Sequence, residues 1–190
     1  MRRQLKIIIL FLVVFTIFTG VLYPLVVTGI VQIVFHHQAN GRLIEQNGNV
    51  TGSELIGQPF SDPKYFWGRL SATAAFPYDS SSSTGSNLGP TNPELSKAVQ
   101  SRIEALKAVD PNNNQPVPVD LVTSSASGLD PDISVAAANY QTARVAKFRG
   151  LSAETVSGLV IRFTEGRQLG ILGEPRVNVL ELNQALDALK

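Results

Sequence analysis

The amino-acid sequence predicts an α+β protein that has one N-terminal transmembrane helix followed by a small mixed soluble domain with about four helices and a few short strands. Three observations predict this fold class. A charge-free apolar run covers residues 7–35. Beyond it, four segments carry apolar residues three or four positions apart, as in helices that cover a core. Short stretches in which apolar and polar residues alternate indicate the strands.

The apolar run is the strongest of these signals. As a helix it would measure about 43 Å, which exceeds the bilayer hydrocarbon thickness of roughly 30 Å. A cleaved signal peptide is the alternative, but its apolar region is usually about 7–15 residues long and ends at a small-residue cleavage site. This run instead leads into Phe35, His36 and His37. We therefore expect a retained membrane anchor in contact with the lipid bilayer.

Flanking charges predict the orientation of this helix. Arg2, Arg3 and Lys6 precede the run, and the first basic residue after it is Arg42. Because basic residues favour the cytoplasmic side of a membrane helix, we expect residues 1–6 in the cytoplasm and residues 36–190 outside it. The outer segment would then lie in the periplasm or on the cell surface of a bacterium.

Small or helix-perturbing residues recur at four-residue spacing along the apolar run. They are Thr16, Gly20, Pro24 and Thr28. Such a row lets another helix backbone approach closely, and Pro24 can kink the helix. The row therefore indicates a packing face for partner membrane helices. The alternative is that such residues are simply common in membrane helices.

Charge and cysteine content exclude several function classes for the soluble domain. Three of the 16 basic residues precede the apolar run, whereas all 15 acidic residues follow it, which leaves a net charge of about −2. A near-neutral domain does not fit nucleic-acid binding. Cysteine is absent, so disulfides, zinc–thiolate sites and thiol nucleophiles are excluded.

Four helices are predicted in the soluble domain, each from a capping residue that precedes an apolar stripe. The predicted caps are Asn92 followed by Pro93, Asp130 or Ser134, Ser152, and Asn178 with Glu181. Residues 117–122 alternate between apolar and polar side chains and predict one short strand. Residues 60–69, which include the only tryptophan, predict a short strand whose aromatic side chains join the core, with a binding surface as the alternative. Residues 79–91 predict an exposed loop.

No constellation of residues points to catalysis or to a metal site. The only histidines, His36 and His37, are adjacent, so their side chains would point about 100° apart on a helix. A Ser-His-Asp triad would have to use one of them at the membrane exit. Asp130 and Asp132 precede a predicted helix, where exposed N–H groups and the helix dipole favour carboxylates. We therefore interpret them as capping residues rather than as a calcium site.

Many ordered blocks of this sequence are similar to one known family. They include residues 23–25 (YPL), 38–41 (QANG), 55–58 (LIGQ), 65–73 (YFWGRLSAT), 85–88 (GSNL), 92–95 (NPEL), 125–130 (SASGLD), 144–147 (RVAK) and 177–183 (VNVLELN). Because these blocks extend along nearly the whole chain, the sequence resembles the C subunit of the bacterial Kdp potassium-transporting ATPase.

The resemblance implies a non-catalytic accessory subunit of a high-affinity, ATP-driven potassium import complex in the bacterial inner (plasma) membrane. The implied partners are a potassium-channel-like subunit and a P-type ATPase subunit, whose assembly this chain would stabilise. It also implies a catalytic-chaperone role that raises the ATP affinity of the catalytic subunit. The residues that the resemblance associates with this role are Ser125, Ser127, Gly128, Asp130 and Gln141. ATP would then be bound through the catalytic subunit, and no cofactor is expected for this chain alone.

The expected topology and the implied ATP role conflict, because a domain outside the cytoplasm meets little ATP. The sequence has neither a Walker-type loop nor the Asp-Lys-Thr-Gly phosphorylation motif of P-type ATPases. We therefore expect assembly to matter more than direct nucleotide contact. Alternatives from other classes are a membrane-anchored extracytoplasmic hydrolase and a solute-binding domain. The lack of a well-placed His or Lys base argues against the hydrolase.

Overall fold

The computed structural model describes residues 1–46 and 48–189 and divides the chain into two compact units, Met1–Leu43 and Ile44–Lys190. The helices are α1 (Arg2–Ile17), α2 (Tyr23–Val34), α3 (His36–Ala39), α4 (Pro93–Val109), α5 (Val135–Arg149), α6 (Ala153–Arg162) and α7 (Val179–Ala188). The strands are β1 (Leu43–Gln46), β2 (Asn49–Ser53), β3 (Asp132–Ser134), β4 (Thr164–Glu165) and β5 (Arg176–Asn178). An apolar N-terminal helix followed by helices and short antiparallel strands confirms the predicted α+β class.

One helical segment, Arg2–Val34, dominates the first unit. It has 33 residues, and none of its most apolar stretch is buried. Among the described residues it is the one helix that is long and apolar enough to cross a membrane. It begins before the predicted start at residue 7 and ends at Val34, close to the predicted end.

A single π-helical turn, Phe18–Leu22, joins α1 to α2 within this segment. There the Tyr23 N–H donates to the Phe18 carbonyl, five residues back instead of four. The next residue, Pro24, has no N–H, and in a regular helix its ring would clash with the carbonyl four residues back. The widened turn therefore accommodates the proline.

The four long helices of the second unit begin at predicted caps. Each capping oxygen accepts a hydrogen bond from a backbone N–H that has no partner inside the helix. The pairs are Asn92 with Glu94, Ser134 with Ala137, Ser152 with Thr155, and Asn178 with Leu180 and Glu181, at 3.0–3.2 Å. Pro93 occupies the first position of α4, as predicted.

Two small sheets accompany these helices. Strand β1 pairs with β2, and β5 lies between β3 and β4 in a three-stranded antiparallel sheet. In that sheet Ile133 and Thr164 flank Val177 on its two sides. Because β3 runs directly into α5 and β5 runs directly into α7, the sheet fixes where both helices begin.

The core of the second unit is formed mainly by side chains of α5, α6, α7 and the three-stranded sheet. Its fully buried aliphatic members include Ile133, Val145, Val156, Val177, Leu182 and Leu186. Two residues of the aromatic segment join them: Phe66 is 0% exposed and Trp67 is 5% exposed. The interpretation of residues 60–69 as part of the core is therefore confirmed.

The two strand predictions outside this sheet are wrong. Residues 117–122 contain a short 3-10 turn, Val119–Leu121, instead of a strand. Pro118 has no N–H to give to a neighbouring strand, and Val119 is 71% exposed, so the alternating pattern does not mark a buried face. Residues 60–69 form no strand either, because backbone groups in their centre bond to side chains of α5 and α7.

The capping role expected for Asp130 and Asp132 is also wrong. Asp130 pairs with Arg69 at 2.9 Å, and Asp132 pairs with Arg176 at 2.8 Å. Asp132 lies within β3, so its backbone belongs to the sheet and not to the helix N-terminus. The cap of α5 is Ser134 alone.

Candidate functional site

Two amide side chains hold the aromatic segment in the core. Asn183 on α7 accepts a hydrogen bond from the Phe66 N–H at 2.9 Å and donates to the Phe66 carbonyl at 3.0 Å. Gln141 on α5 does the same for Trp67, at 2.8 and 3.1 Å. Each amide therefore supplies the acceptor and the donor that a paired strand would otherwise supply. We call Phe66, Trp67, Gln141 and Asn183 the amide clamp.

Gln141 uses all of its hydrogen-bonding groups inside the clamp. Its oxygen also accepts from Nη2 of Arg144 at 2.6 Å, and its nitrogen also donates to the Ala137 carbonyl at 3.2 Å. The side chain is 0% exposed. An amide offers two donors and two lone pairs, so none is left for a ligand.

Two guanidinium groups pack against the Trp67 ring. The central carbons of Arg102 and Arg144 lie 4.8 and 4.9 Å from its centroid, a distance typical of cation–π contacts. Arg144 also donates to the carbonyls of Pro63 and Tyr65. Burial lowers the pKa of Arg144 to about 10, so its guanidinium is charged at neutral pH. These contacts tie the aromatic segment to α4 and α5.

Residues 125–130, which the resemblance associates with nucleotide, lie against a neighbouring loop. Ser125 is only 3% exposed, and its N–H donates to the Leu70 carbonyl at 3.2 Å. Ser127 is exposed, and its hydroxyl accepts from the Leu129 N–H at 3.1 Å. Asp130 is half-buried beside Arg69. Of these residues, Ser127 and Asp130 reach the surface.

Gly128 does not line an open cradle. Its φ is +69°, and a Cβ at this position would lie 2.6 Å from the Thr84 carbonyl oxygen. The Ser71 hydroxyl donates to the Gly128 carbonyl at 2.7 Å, and the Ser83 hydroxyl donates to the Ser127 carbonyl at 3.0 Å. Glycine is therefore required here by a close loop contact and a left-handed backbone.

A cavity of about 240 Å³ opens beside Asp130. Its charged lining consists of four carboxylates and two guanidinium groups, namely Asp120, Asp130, Asp132, Glu174, Arg69 and Arg176. Burial raises the pKa of Asp132, although the charge of Arg176 opposes that rise. This acidic excess disfavours a triphosphate.

Most of the residues that the resemblance associates with nucleotide are therefore buried or already in contact with other parts of the domain. Gln141 and Ser125 are buried, the neighbouring loop fills the space beside Gly128, and Asp130 borders an acidic cavity. Only Ser127 presents a surface hydroxyl. Among the described residues, no three His, Cys, Asp or Glu side chains lie close enough together to hold a metal ion.

The structure places the row of small residues on an exposed helix surface in the first unit. Regular helix would separate Thr16 from Pro24 by about 80° around the axis. The π turn, Phe18–Leu22, contains one extra residue, which rotates the residues after it back by about 100° around the helix axis. Thr16 and Pro24 then lie about 20° apart. Gly20 has nothing within 4 Å of its Cβ position. The turn thus brings Thr16, Gly20, Pro24 and Thr28 towards one face.

Sequence reasoning missed Asn183 and Arg144 as buried residues, and it missed the half-buried Arg102 as a contact of Trp67. Asn183 is 1% exposed and Arg144 is 2% exposed. A signal existed for Asn183, because it follows Leu182 inside the apolar stripe of α7, where a polar side chain requires a buried partner. The partner, a backbone segment 117 positions earlier, gave no local signal.

Fold and site together define a membrane-anchored α+β domain whose buried polar side chains bind its own backbone. The family model described as KdpC, the c chain of the K⁺-transporting ATPase, matches residues 5–188. The chain therefore belongs to the KdpC family, which confirms the predicted resemblance.

Individual relatives agree with the family match. The KdpC subunit of the potassium-transporting ATPase of Methylococcus capsulatus is 62% identical over 190 residues and covers 100% of both chains. That of Herpetosiphon aurantiacus is 62% identical over 179 residues, covering 94% of this chain and 93% of its own. That of Paraburkholderia xenovorans is 57% identical over 190 residues, covering 100% and 99%. The similarity thus includes both units.

Proposed function

We propose that this chain is a non-catalytic accessory subunit of a high-affinity, ATP-driven potassium import complex and that it stabilises the assembly of the complex. The match to the KdpC family over residues 5–188 carries the proposal. The proposed partners are a potassium-channel-like subunit and a P-type ATPase subunit. The amide clamp supports the proposal, because its buried polar side chains hold the fold instead of facing a substrate.

The proposed topology has one span. Residues 1–6 lie in the cytoplasm, residues 7–35 cross the inner membrane, and residues 36–190 lie outside. The basic residues Arg2, Arg3 and Lys6 before the apolar helix support this orientation. The domain would then reach the other subunits on the side from which potassium enters.

The membrane helix is proposed to be a subunit contact as well as an anchor. Thr16, Gly20, Pro24 and Thr28 are all exposed, and the π turn brings them towards one face. Small side chains on one face allow close packing of membrane helices, where van der Waals contact rather than the hydrophobic effect drives association.

The support given to ATP hydrolysis is proposed to be indirect. Assembly with this chain raises the ATP affinity of the catalytic subunit through the conformation that the complex adopts, as a coupling between separate sites. The buried position of Gln141 supports this route, because a side chain without a free donor or acceptor cannot recognise nucleotide.

Truncation after Phe35 tests the function. A complex that retains the membrane helix but lacks residues 36–190 is expected to lose potassium affinity by roughly tenfold or more, or to dissociate in detergent. The control is the full-length chain with the same affinity tag. Unchanged assembly and potassium affinity would refute the proposal. So would hydrolysis of an ester or a nucleotide by the purified chain alone.

A further inference from the structure

The connection between β4 and β5 exposes an apolar tip. Within residues 166–175, Leu169 is 88% exposed, Ile171 is 74% exposed and Leu172 is 55% exposed. Exposed aliphatic side chains scattered singly are normal on a protein surface, but a contiguous exposed apolar patch indicates an interaction site. We call residues 166–175 the apolar tip.

The apolar tip is held in shape by its own hydrogen bonds. Gln168 and Leu172 each donate a backbone N–H to the other's carbonyl, both at 2.9 Å. Below them, Nη2 of Arg167 lies 2.7 Å from both carboxylate oxygens of Glu174. Leu169 has a φ of +53°, a conformation that is unfavourable for a leucine. The backbone therefore presents these side chains to solvent instead of folding them onto the domain.

The charges around the tip favour a protein partner over a lipid surface. Arg167 and Glu174 neutralise each other, so the pair gives no net attraction to anionic headgroups. Tryptophan, tyrosine and lysine, which anchor proteins at membrane interfaces, are absent from residues 166–175. An apolar groove on a protein is the surface that matches three neutral aliphatic side chains.

The small size of the apolar tip indicates what kind of protein partner binds it. A stable free dimer needs about 800 Å² and 20–30 residues from each partner, far more than three side chains provide. So small a contact is useful when other contacts already hold the partner at high effective concentration. This argument rests on the proposed function, because the membrane helix would supply those contacts.

We propose that the apolar tip docks into an apolar groove on the extracytoplasmic face of another subunit of the same ATPase. Leu169 and Ile171 enter the groove, and the Arg167–Glu174 pair lies at its rim. The contact completes the attachment that the membrane helix begins.

A photo-crosslinker at Leu169 tests the proposal in the intact complex. Leu169→Cys gives a unique thiol, because the chain has no cysteine, and a benzophenone maleimide reacts with it. We expect a protein adduct with another subunit of the complex. An adduct with a second copy of this chain, or lipid adducts alone, would overturn the proposal. The matched control, Val119→Cys, places the label on another exposed aliphatic position, 71% exposed, in a 3-10 turn.

A competition assay measures the strength of the contact. The double variant Leu169→Ser with Ile171→Ser should be displaced from the complex by wild-type chain at least about tenfold more readily, whereas Val119→Ser should match wild type. Equal displacement of all three would overturn docking while leaving the proposed function intact. A wild-type chain that does not co-purify with the ATPase would overturn both.

Discussion

Gln141 and Asn183 form an instructive pair. Both are amides on core-facing helices, both are at most 1% exposed, and each binds the N–H and the carbonyl of one residue in the same segment. Of these two amides, the family resemblance associates only Gln141 with nucleotide. In the structure, the two side chains make equivalent hydrogen bonds to the aromatic segment. We infer that Gln141 affects ATP use only by stabilising the fold. Because Asn183 stabilises the same segment, replacing Asn183 must then affect ATP use as well.

The largest expected effect comes from removing either amide. Gln141→Ala and Asn183→Ala each leave one buried backbone donor and one buried acceptor unsatisfied and also open a cavity. Each is expected to lower the free energy of unfolding by roughly 2–4 kcal/mol. Denaturant unfolding of the detergent-solubilised chain measures this loss.

The same pair of variants separates a structural role from a nucleotide-binding role. In the assembled ATPase, both should change the ATP concentration for half-maximal activity by the same factor, within about threefold. A change confined to Gln141→Ala, with equal stability losses in the two variants, would show that Gln141 has a direct part in nucleotide use. Asn139→Ala, at an exposed position on α5, is the control and should leave both measurements unchanged.

A smaller effect is expected at Tyr78, whose hydroxyl donates to the Arg69 carbonyl at 2.6 Å, at the end of the aromatic segment. Burial raises the pKa of Tyr78 to about 12 from its ordinary value of 10.0. Because the neutral phenol is favoured in the folded state, its contribution is complete below pH 10 and is lost as the pH rises towards about 12.

Tyr78→Phe should therefore lower stability by about 1 kcal/mol at neutral pH and flatten its decline between roughly pH 10 and 12. Thermal unfolding of the detergent-solubilised chain across this range is the measurement. Tyr140, whose pKa burial also raises, remains in the variant, so part of the decline should persist. An unchanged decline would contradict the assignment.

Local signals explain most of what the sequence predicted correctly. Asn92, Ser134, Ser152 and Asn178 cap their helices through bonds that span three residues or fewer, and the apolar helix is visible from composition alone. The failures come from long-range contacts. The aromatic segment resembles a strand, yet its partners are side chains 74 and 117 positions away, which no local pattern reveals.

The predicted site shows the same contrast between local signals and long-range contacts. The resemblance identified Gln141, but its burial follows from packing between α5 and the aromatic segment. Asp130 and Asp132 fit a helix N-terminus by sequence, whereas Arg69 and Arg176 draw both into ion pairs. The partners were missed because each arginine lies on a different part of the chain.

The most direct test of the central claim, that the domain acts on the ATPase from outside the cytoplasm, is the accessibility of single cysteines in intact cells. Ser80→Cys lies at an exposed position in the domain, and Gln4→Cys lies at an exposed position before the apolar run. A membrane-impermeant maleimide is expected to label Ser80→Cys in intact cells and Gln4→Cys only after permeabilisation. The reverse pattern would place the domain in the cytoplasm and contradict the claim.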